Sequence, residues 1–199
     1  MPSLFARNPL ELGCWVVGLL LWRVLEAGAD IATARRLRGG AERQDRGSRV
    51  TLLCLIVSGA FLGVALALTV PSAASGRVSA PLAWLGLLLL YAGIVLRFSA
   101  MRTLGAAFTT TLAVAPGQTV IERGPYRRIR HPSYTGLLLI LLGFGLGLAN
   151  WLSLLAVMGC ALVGCAYRVR VEEGVLQERL GEPYRAYMRR TKRFIPFVF

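Results

Sequence analysis

The residue types that could do chemistry are concentrated at residues 124–136, GPYRRIRHPSYTG. This stretch holds the only histidine of the chain, His131, and interleaves three arginines with two tyrosines. Pro125 and Pro132 each fix φ and remove a backbone donor, so a helix cannot run unbroken through either position. We therefore expect a polar loop that ends near Pro132, where a new helix can begin.

A second group of candidate residues lies in the basic segment 167–193, where Glu172 and Glu173 form an acidic pair. Apolar residues at helical spacing predict a helix here, followed by a break at residues 181–183 and a short second helix. Arg168 lies four residues before Glu172, so an ordinary salt bridge on a helix surface is one interpretation. The other is a ligand site, because an acidic pair at a membrane boundary can contact a soluble cation while it faces a lipid-borne substrate.

The composition indicates that membrane helices position these residues. Of 199 residues, 55% are hydrophobic and 17% are charged, and the mean hydropathy is +0.58. A soluble domain rarely has such values, and a helix needs about 20 apolar residues to cross a bilayer. Five apolar segments are candidates: residues 10–27, 50–70, 81–101, 137–149 and 152–167. We predict an all-α polytopic membrane bundle of about five transmembrane helices, with a helical tail.

The last two spans are separated only by Asn150 and Trp151, which predicts a tight antiparallel hairpin. Glycines at 143, 145 and 147 would let another helix approach closely. We expect one integral membrane domain, residues 1–199, with the first three helices and a basic loop in residues 1–101. Residues 102–199 would form the catalytic half.

The net charge of +13 is distributed unevenly and sets an orientation. Segments 28–49, 102–133 and 168–199 carry almost all the arginine. By the positive-inside rule these segments are cytoplasmic, which places the N-terminus outside and the candidate site in the cytosol. We expect residues 30–49 to form a loop that contacts anionic headgroups.

Ionisable residues near the predicted spans have simple interpretations. Arg23 and Glu26 are three residues apart, so they either pair on one helix face or extend separately to the membrane boundary. Arg97 lies close to the end of its span. With no central ionisable group in any predicted span, a transporter is disfavoured.

The four cysteines lie inside apolar segments, without the spacing of a zinc site or of paired disulfides. We expect them to be small core residues and expect no metal.

A family resemblance follows from the order of several motifs. RHPSYTG, the tight apolar hairpin, the EE pair and LGEPYRAYMRRTKRFIPF closely resemble the isoprenylcysteine carboxyl methyltransferases and their phospholipid methyltransferase relatives. AMRTLGAAFTT is similar to the segment before that family's cofactor loop, and the resemblance covers residues 97–197. It implies an S-adenosylmethionine-dependent methyltransferase acting on a lipophilic substrate that enters from the bilayer. Membrane lipids are then the expected partners, and nucleic acid is not.

The resemblance also implies site residues. An S-adenosylmethionine site would be enclosed by the cytosolic loop, the fourth and fifth spans and the tail, with Gly105 a looser match upstream. Arg168 matches a position near the substrate and, with Glu172, is the expected catalytic pair. The implied cofactor-binding residues are Gln118, Thr119, Val120, Ile121, Tyr126, His131, Pro132, Ser133, Tyr134 and Glu172.

The chemistry favours a carboxylate acceptor, as in an isoprenylcysteine or a similar lipid. A carboxylate is already ionised at neutral pH, so positioning does most of the work, and a guanidinium such as Arg168 can hold it. A phospholipid amine acceptor would instead need a base, either His131 or a glutamate.

Two further classes stay open. A sterol-type membrane reductase has a similar tail and would use NADPH, but the EE pair argues against it. A non-enzymatic membrane adaptor would explain the basic loops but needs neither the histidine motif nor the buried tyrosines.

Overall fold

The computed structural model describes residues 9–38, 45, 47–70, 73, 79–112 and 117–194. Within this part the chain forms six α-helices, and Ile129 and Lys192 pair in an isolated bridge. The predicted all-α class is therefore confirmed. The helices are α1 (Pro9–Arg38), α2 (Ser48–Thr69), α3 (Ser79–Leu104), α4 (Pro132–Gly147), α5 (Trp151–Leu180) and α6 (Glu182–Arg190), with short 3-10 helices at Gly105–Ala107 and Gly124–Arg127.

Four helices are long and apolar enough to cross a membrane: Pro9–Arg35, Ser48–Thr69, Pro81–Leu104 and Trp151–Leu180. The predicted fourth span, α4, is a shorter apolar helix of 16 residues, about 24 Å long. Pro132 limits its start, as the sequence predicts, and the chain turns at Ala149 with a φ of 50°. Because α4 packs against both α3 and α5, much of it is enclosed by protein.

Helix α1 is longer than the sequence prediction, which ended the span at residue 27 and placed a loop from residue 30 onward. The helix continues to Arg38 because residues 27–38 are rich in alanine and arginine, which favour helix. Arg23 and Glu26 consequently lie near the middle of α1. The structure thus places both residues well inside a helix, whereas the sequence prediction placed them near the end of a span.

Glycines allow the closest helix contact, between α3 and α4. A Cβ atom on Gly93 would lie 2.6 Å from the carbonyl oxygen of Gly136, so the two backbones touch directly. The predicted role of the glycines late in α4 is confirmed, since Gly143 meets α3, Gly145 meets Leu154 of α5, and Gly147 meets Trp15 of α1. The contact between Gly93 and Gly136 holds the start of α4 against the second half of α3.

The predicted tight hairpin of α4 and α5 is confirmed and is tied to the end of α2. The Asn150 side chain accepts a hydrogen bond from the Ser153 N–H (3.1 Å) and donates one to the Val70 carbonyl (3.0 Å). The Ser153 hydroxyl donates to the Gly63 carbonyl at 2.6 Å. These bonds satisfy polar groups at the end of the bundle away from the candidate site.

After α5 the chain turns at Gly181, where φ is 61°, and forms α6, so the predicted helix, turn and second helix are confirmed. The segment after α6 then runs beside residues 130–134, called here the RHPSY loop, which lead into α4. Arg130 N–H donates to the Lys192 carbonyl (2.7 Å) and His131 N–H donates to the Arg193 carbonyl (3.0 Å). The tail thereby closes over the loop that precedes α4.

Candidate functional site

A cavity of about 630 Å³ lies where the loops after α3 meet the start of α4, the second half of α5, and α6. It extends from this polar end along α2. Ten of the eleven sequence-predicted site residues line it. Pro132 does not, because it is buried where it begins α4. The lining set comprises Gln118, Thr119, Val120, Ile121, Tyr126, His131, Ser133, Tyr134, Arg168 and Glu172.

Tyr134 connects the two charged residues of α5 that the sequence singles out. Its hydroxyl donates to Glu172 Oε2 at 2.8 Å and accepts from Arg168 Nε at 3.0 Å. Within the described part of the chain, Arg168 and Glu172 form no direct ion pair, so the simple helix salt bridge is not what the structure has. The phenol of α4 instead lies between them.

The Arg168 guanidinium is almost fully buried and is held on every side. It pairs with the carboxylate of Asp45, contacts the Ser48 hydroxyl, and donates to the Thr110 carbonyl at 3.2 Å. Asp45 is itself 1% exposed and accepts from the Ser48 hydroxyl at 2.9 Å. If Arg168 bound a substrate carboxylate through two hydrogen bonds, as the sequence predicts, it would therefore have to displace Asp45. Asp45 gave no sequence signal, because it lies in the arginine-rich segment before α2.

Tyr126 is a buried phenol near Glu172. Burial raises its pKa well above the ordinary range, and the negative charge of Glu172 adds to the effect. The hydroxyl therefore keeps its proton at neutral pH and can only act as a neutral hydrogen-bond group. The Tyr187 hydroxyl of α6 donates to the Tyr126 carbonyl at 2.7 Å and holds this turn in place.

Glu173 is the centre of a second cluster, which sequence reasoning missed. Its carboxylate is 2% exposed and accepts from Arg130 Nε (3.0 Å) and Arg193 Nη2 (2.9 Å). It also lies 3.2 Å from His131 Nε2. Glu173 thus links α5 to the RHPSY loop and to the tail, and it holds in place the backbone that carries His131. The EE pair was the only sequence signal for this cluster, and its second member, Glu173, is the one that faces inward.

Arg97 and Glu26 form a third cluster, which brings α1 to the site. Arg97 pairs with Glu26, and its Nη1 donates to the Ser133 hydroxyl (2.8 Å) and carbonyl (3.0 Å). Trp22 Nε1 also donates to Glu26, at 3.1 Å. The predicted alternative of a pair between Arg23 and Glu26 is wrong, since Glu26 is bound to Arg97.

The apolar part of the cavity follows one face of α2. Leu52, Ile56, Ala60 and Val64 line it at intervals of four residues, so they form a stripe about 18 Å long. Trp22 of α1 and Phe144 of α4 contribute to the same wall. A stripe of this length matches an extended lipid chain. No sequence pattern indicates this stripe, because α2 is apolar on all sides.

No group of three or more metal-ligating side chains occurs among the described residues. The hydroxyl of Thr110, which lines the cavity, is buried without a hydrogen-bond partner in that part of the chain.

The sequence comparisons cover the half of the chain that contains most of this site. The model of the isoprenylcysteine carboxyl methyltransferase family matches residues 84–178. The chain is 31% identical to protein-S-isoprenylcysteine O-methyltransferase B of Arabidopsis thaliana over 115 residues, which are 57% of this chain and 58% of that protein. It is 30% identical to a probable protein-S-isoprenylcysteine O-methyltransferase of Oryza sativa subsp. indica, over 58% of this chain and 61% of that protein. The matched regions thus span about three fifths of these curated relatives.

The structural comparison extends over nearly the whole chain. The eukaryotic intramembrane Ras methyltransferase ICMT superposes with a TM-score of 0.62 at 21% identity, over 93% of this chain and 67% of that one. The two proteins share a fold. Together with the sequence matches, this confirms the predicted resemblance to the family.

Proposed function

We propose, from the match of residues 84–178 to the isoprenylcysteine carboxyl methyltransferase family, that this chain is an S-adenosylmethionine-dependent membrane methyltransferase. Its acceptor is the carboxylate of an isoprenylcysteine or of a similar lipid. The donor is water-soluble and the acceptor is lipophilic, so one site must be reached from two phases.

One observation carries the proposal: a single cavity has a polar end at Glu172 and an apolar stripe along α2. The polar end is formed by irregular backbone and by the network of Tyr134, Arg168 and Glu172. The apolar end is long enough for an extended isoprenoid. Ligand sites typically combine a largely apolar wall with a few placed polar groups.

The donor set of the polar end fits the cofactor. Glu172 offers a carboxylate to a ligand that carries an amino group, hydroxyls and a positive sulfonium. The unpartnered Thr110 hydroxyl is a buried polar group that a ligand would satisfy. Residues 119–121 lie outside helix and strand, so their N–H and C=O groups can bind the edges of a polar ligand. The remaining cofactor contacts are proposed for Gln118, Tyr126, His131, Ser133 and Tyr134.

When bound, S-adenosylmethionine supplies an electrophilic methyl group on a sulfonium. The protein's part is to position and desolvate an acceptor that is already ionised, which requires no general acid or base. Tyr134 keeps the Glu172 carboxylate oriented, and Arg168 keeps Tyr134 oriented. Because Arg168 is paired with Asp45, its main proposed role is to orient Tyr134.

A carboxylate acceptor is favoured over an amine by the surroundings of His131. An ammonium acceptor must lose a proton before it can attack. His131 Nε2 faces the Glu173 carboxylate at 3.2 Å, so this nitrogen is not available to the cavity as a base. We also propose that the site faces the cytosol, where the soluble donor is made, and that the N-terminus lies outside.

The proposal is tested in two steps with protein purified in detergent. Calorimetric titration with S-adenosylmethionine should give saturable binding, whereas NADPH should not; the reverse result would favour a reductase. Labelled donor is then supplied with N-acetyl-S-farnesyl-cysteine or with phosphatidylethanolamine, and the products are identified by mass spectrometry. A farnesyl-cysteine methyl ester is expected. Methylated phosphatidylethanolamine would show that the acceptor is an amine.

A further inference from the structure

Most charged groups in or beside the cavity are paired with another protein group. A guanidinium that is bound to a protein carboxylate is largely neutralised, so it attracts a charged ligand weakly. The pairs of the described chain that include a cavity-lining arginine are Arg49 with Asp30, Arg97 with Glu26, Arg130 with Glu173, and Arg168 with Asp45.

Two cavity-lining charges stand outside these pairs. Arg23 is exposed, and within the described part of the chain no acceptor contacts its guanidinium. Glu172 accepts a hydrogen bond from the neutral Tyr134 hydroxyl but has no cationic side chain within salt-bridge distance among the described residues. The cavity therefore presents one uncompensated cation and one uncompensated anion.

Both charges line the same cavity, in which the donor and the acceptor must meet. Arg23 is next to Trp22, which lines the apolar stripe, and it precedes Glu26 by three residues, about 4.5 Å along α1. Glu172 lies at the polar end beside Tyr134. A positive donor and a negative acceptor would complement this arrangement, whereas two positive ligands would not.

We propose that Arg23 binds the anionic end of the lipid acceptor and so selects a carboxylate over an amine. This inference rests on the proposed function and extends it to α1, which lies outside the region that matches the family. An unpaired arginine near the middle of a membrane helix is costly unless it reaches water or an anion. The competing explanation is that Arg23 only extends to the membrane surface, which requires no ligand.

Equilibrium binding of two probes to detergent-purified protein tests this assignment without turnover. N-acetyl-S-farnesyl-cysteine carries the carboxylate, and its methyl ester has the same apolar chain without the charge. Arg23→Gln should weaken binding of the acid by about 10- to 150-fold, the range for one hydrogen bond to a charged group, and should leave the ester unchanged. Arg23→Lys should retain part of the preference for the acid. Arg35→Ala is the control, since Arg35 is exposed on α1 but does not line the cavity.

Equal losses for acid and ester, or no loss for either, would overturn the assignment of Arg23. So would a wild-type protein that binds acid and ester equally. If the wild type prefers the acid through Arg23 yet transfers no methyl group, the proposed activity fails while the anion site stands. S-adenosylmethionine affinity should be the same in all variants, because Arg23 is assigned to the acceptor alone.

Discussion

The Tyr134 hydroxyl donates a 2.8 Å hydrogen bond to Glu172 Oε2, across the interface of α4 and α5. The Tyr134 hydroxyl oxygen also accepts a hydrogen bond from Arg168 Nε. Because a charged Arg168 can only donate, the single hydroxyl proton of Tyr134 must point to Glu172. The orientation of the carboxylate is therefore set by a residue at the start of α4. Because Pro132 fixes where α4 begins, it also fixes the position from which Tyr134 reaches Glu172.

Glu172→Gln should weaken S-adenosylmethionine affinity by roughly 10- to 150-fold. The substitution removes the uncompensated negative charge while it keeps the shape, and hydrogen bonds to charged groups are worth about 1.5–3 kcal/mol. Calorimetric titration measures the affinity. Glu178→Gln is a matched control, because Glu178 is exposed on the same helix and does not line the cavity. Wild-type affinity in Glu172→Gln, with an unchanged melting temperature, would remove Glu172 from the donor site.

The position of Glu172 shows what the sequence could predict. The motif order identified the loop, the hairpin and the tail, and the structure brings ten of the eleven predicted residues to one cavity. The resemblance of the motifs to the family supplied these residues, and local chemistry supplied the start of α4 at Pro132.

The parts that could not be predicted depend on long-range pairing. Asp45 reaches Arg168 across 123 positions, and Glu26 reaches Arg97 across 71. A single sequence shows which charges exist but not which charge each one meets. The apolar stripe on α2 was hidden for a different reason: a helix that is hydrophobic all round gives no sign of which face lines a cavity.

Arg168→Ala should reduce acceptor turnover more than donor affinity and should also destabilise the protein. Its removal frees Tyr134 and breaks the buried pair with Asp45, and breaking a buried pair costs about 3–5 kcal/mol. Asp45→Asn in the same background should recover much of the melting temperature without restoring turnover. Loss of donor binding with unchanged acceptor kinetics would mean that Arg168 serves the donor instead.

Glu173→Ala should destabilise the protein without a direct effect on the donor. The substitution leaves the nearly buried Arg130 guanidinium without its counterion, and it releases Arg193 of the tail. A cost of about 3–5 kcal/mol is expected, seen as a lower melting temperature and faster proteolysis after α6. The prediction that Glu173 contributes less than Glu172 to donor affinity can be checked by calorimetric titration of Glu173→Gln with S-adenosylmethionine. A wild-type melting temperature in Glu173→Ala would contradict the supporting role assigned to this cluster.

The orientation of the chain can be tested with single cysteines at its two ends. Thr69 is exposed at the end of α2, and Arg185 has a side chain 57% exposed on α6, so both sites are reachable without disturbing a buried pair. In a background where the four natural cysteines are replaced by alanine, Thr69→Cys should react with an impermeant maleimide on intact cells. Arg185→Cys should react only after the cells are permeabilised, because the arginine-rich segments are retained in the cytosol. The opposite labelling pattern would place the cavity's polar end outside the cell, away from the soluble donor.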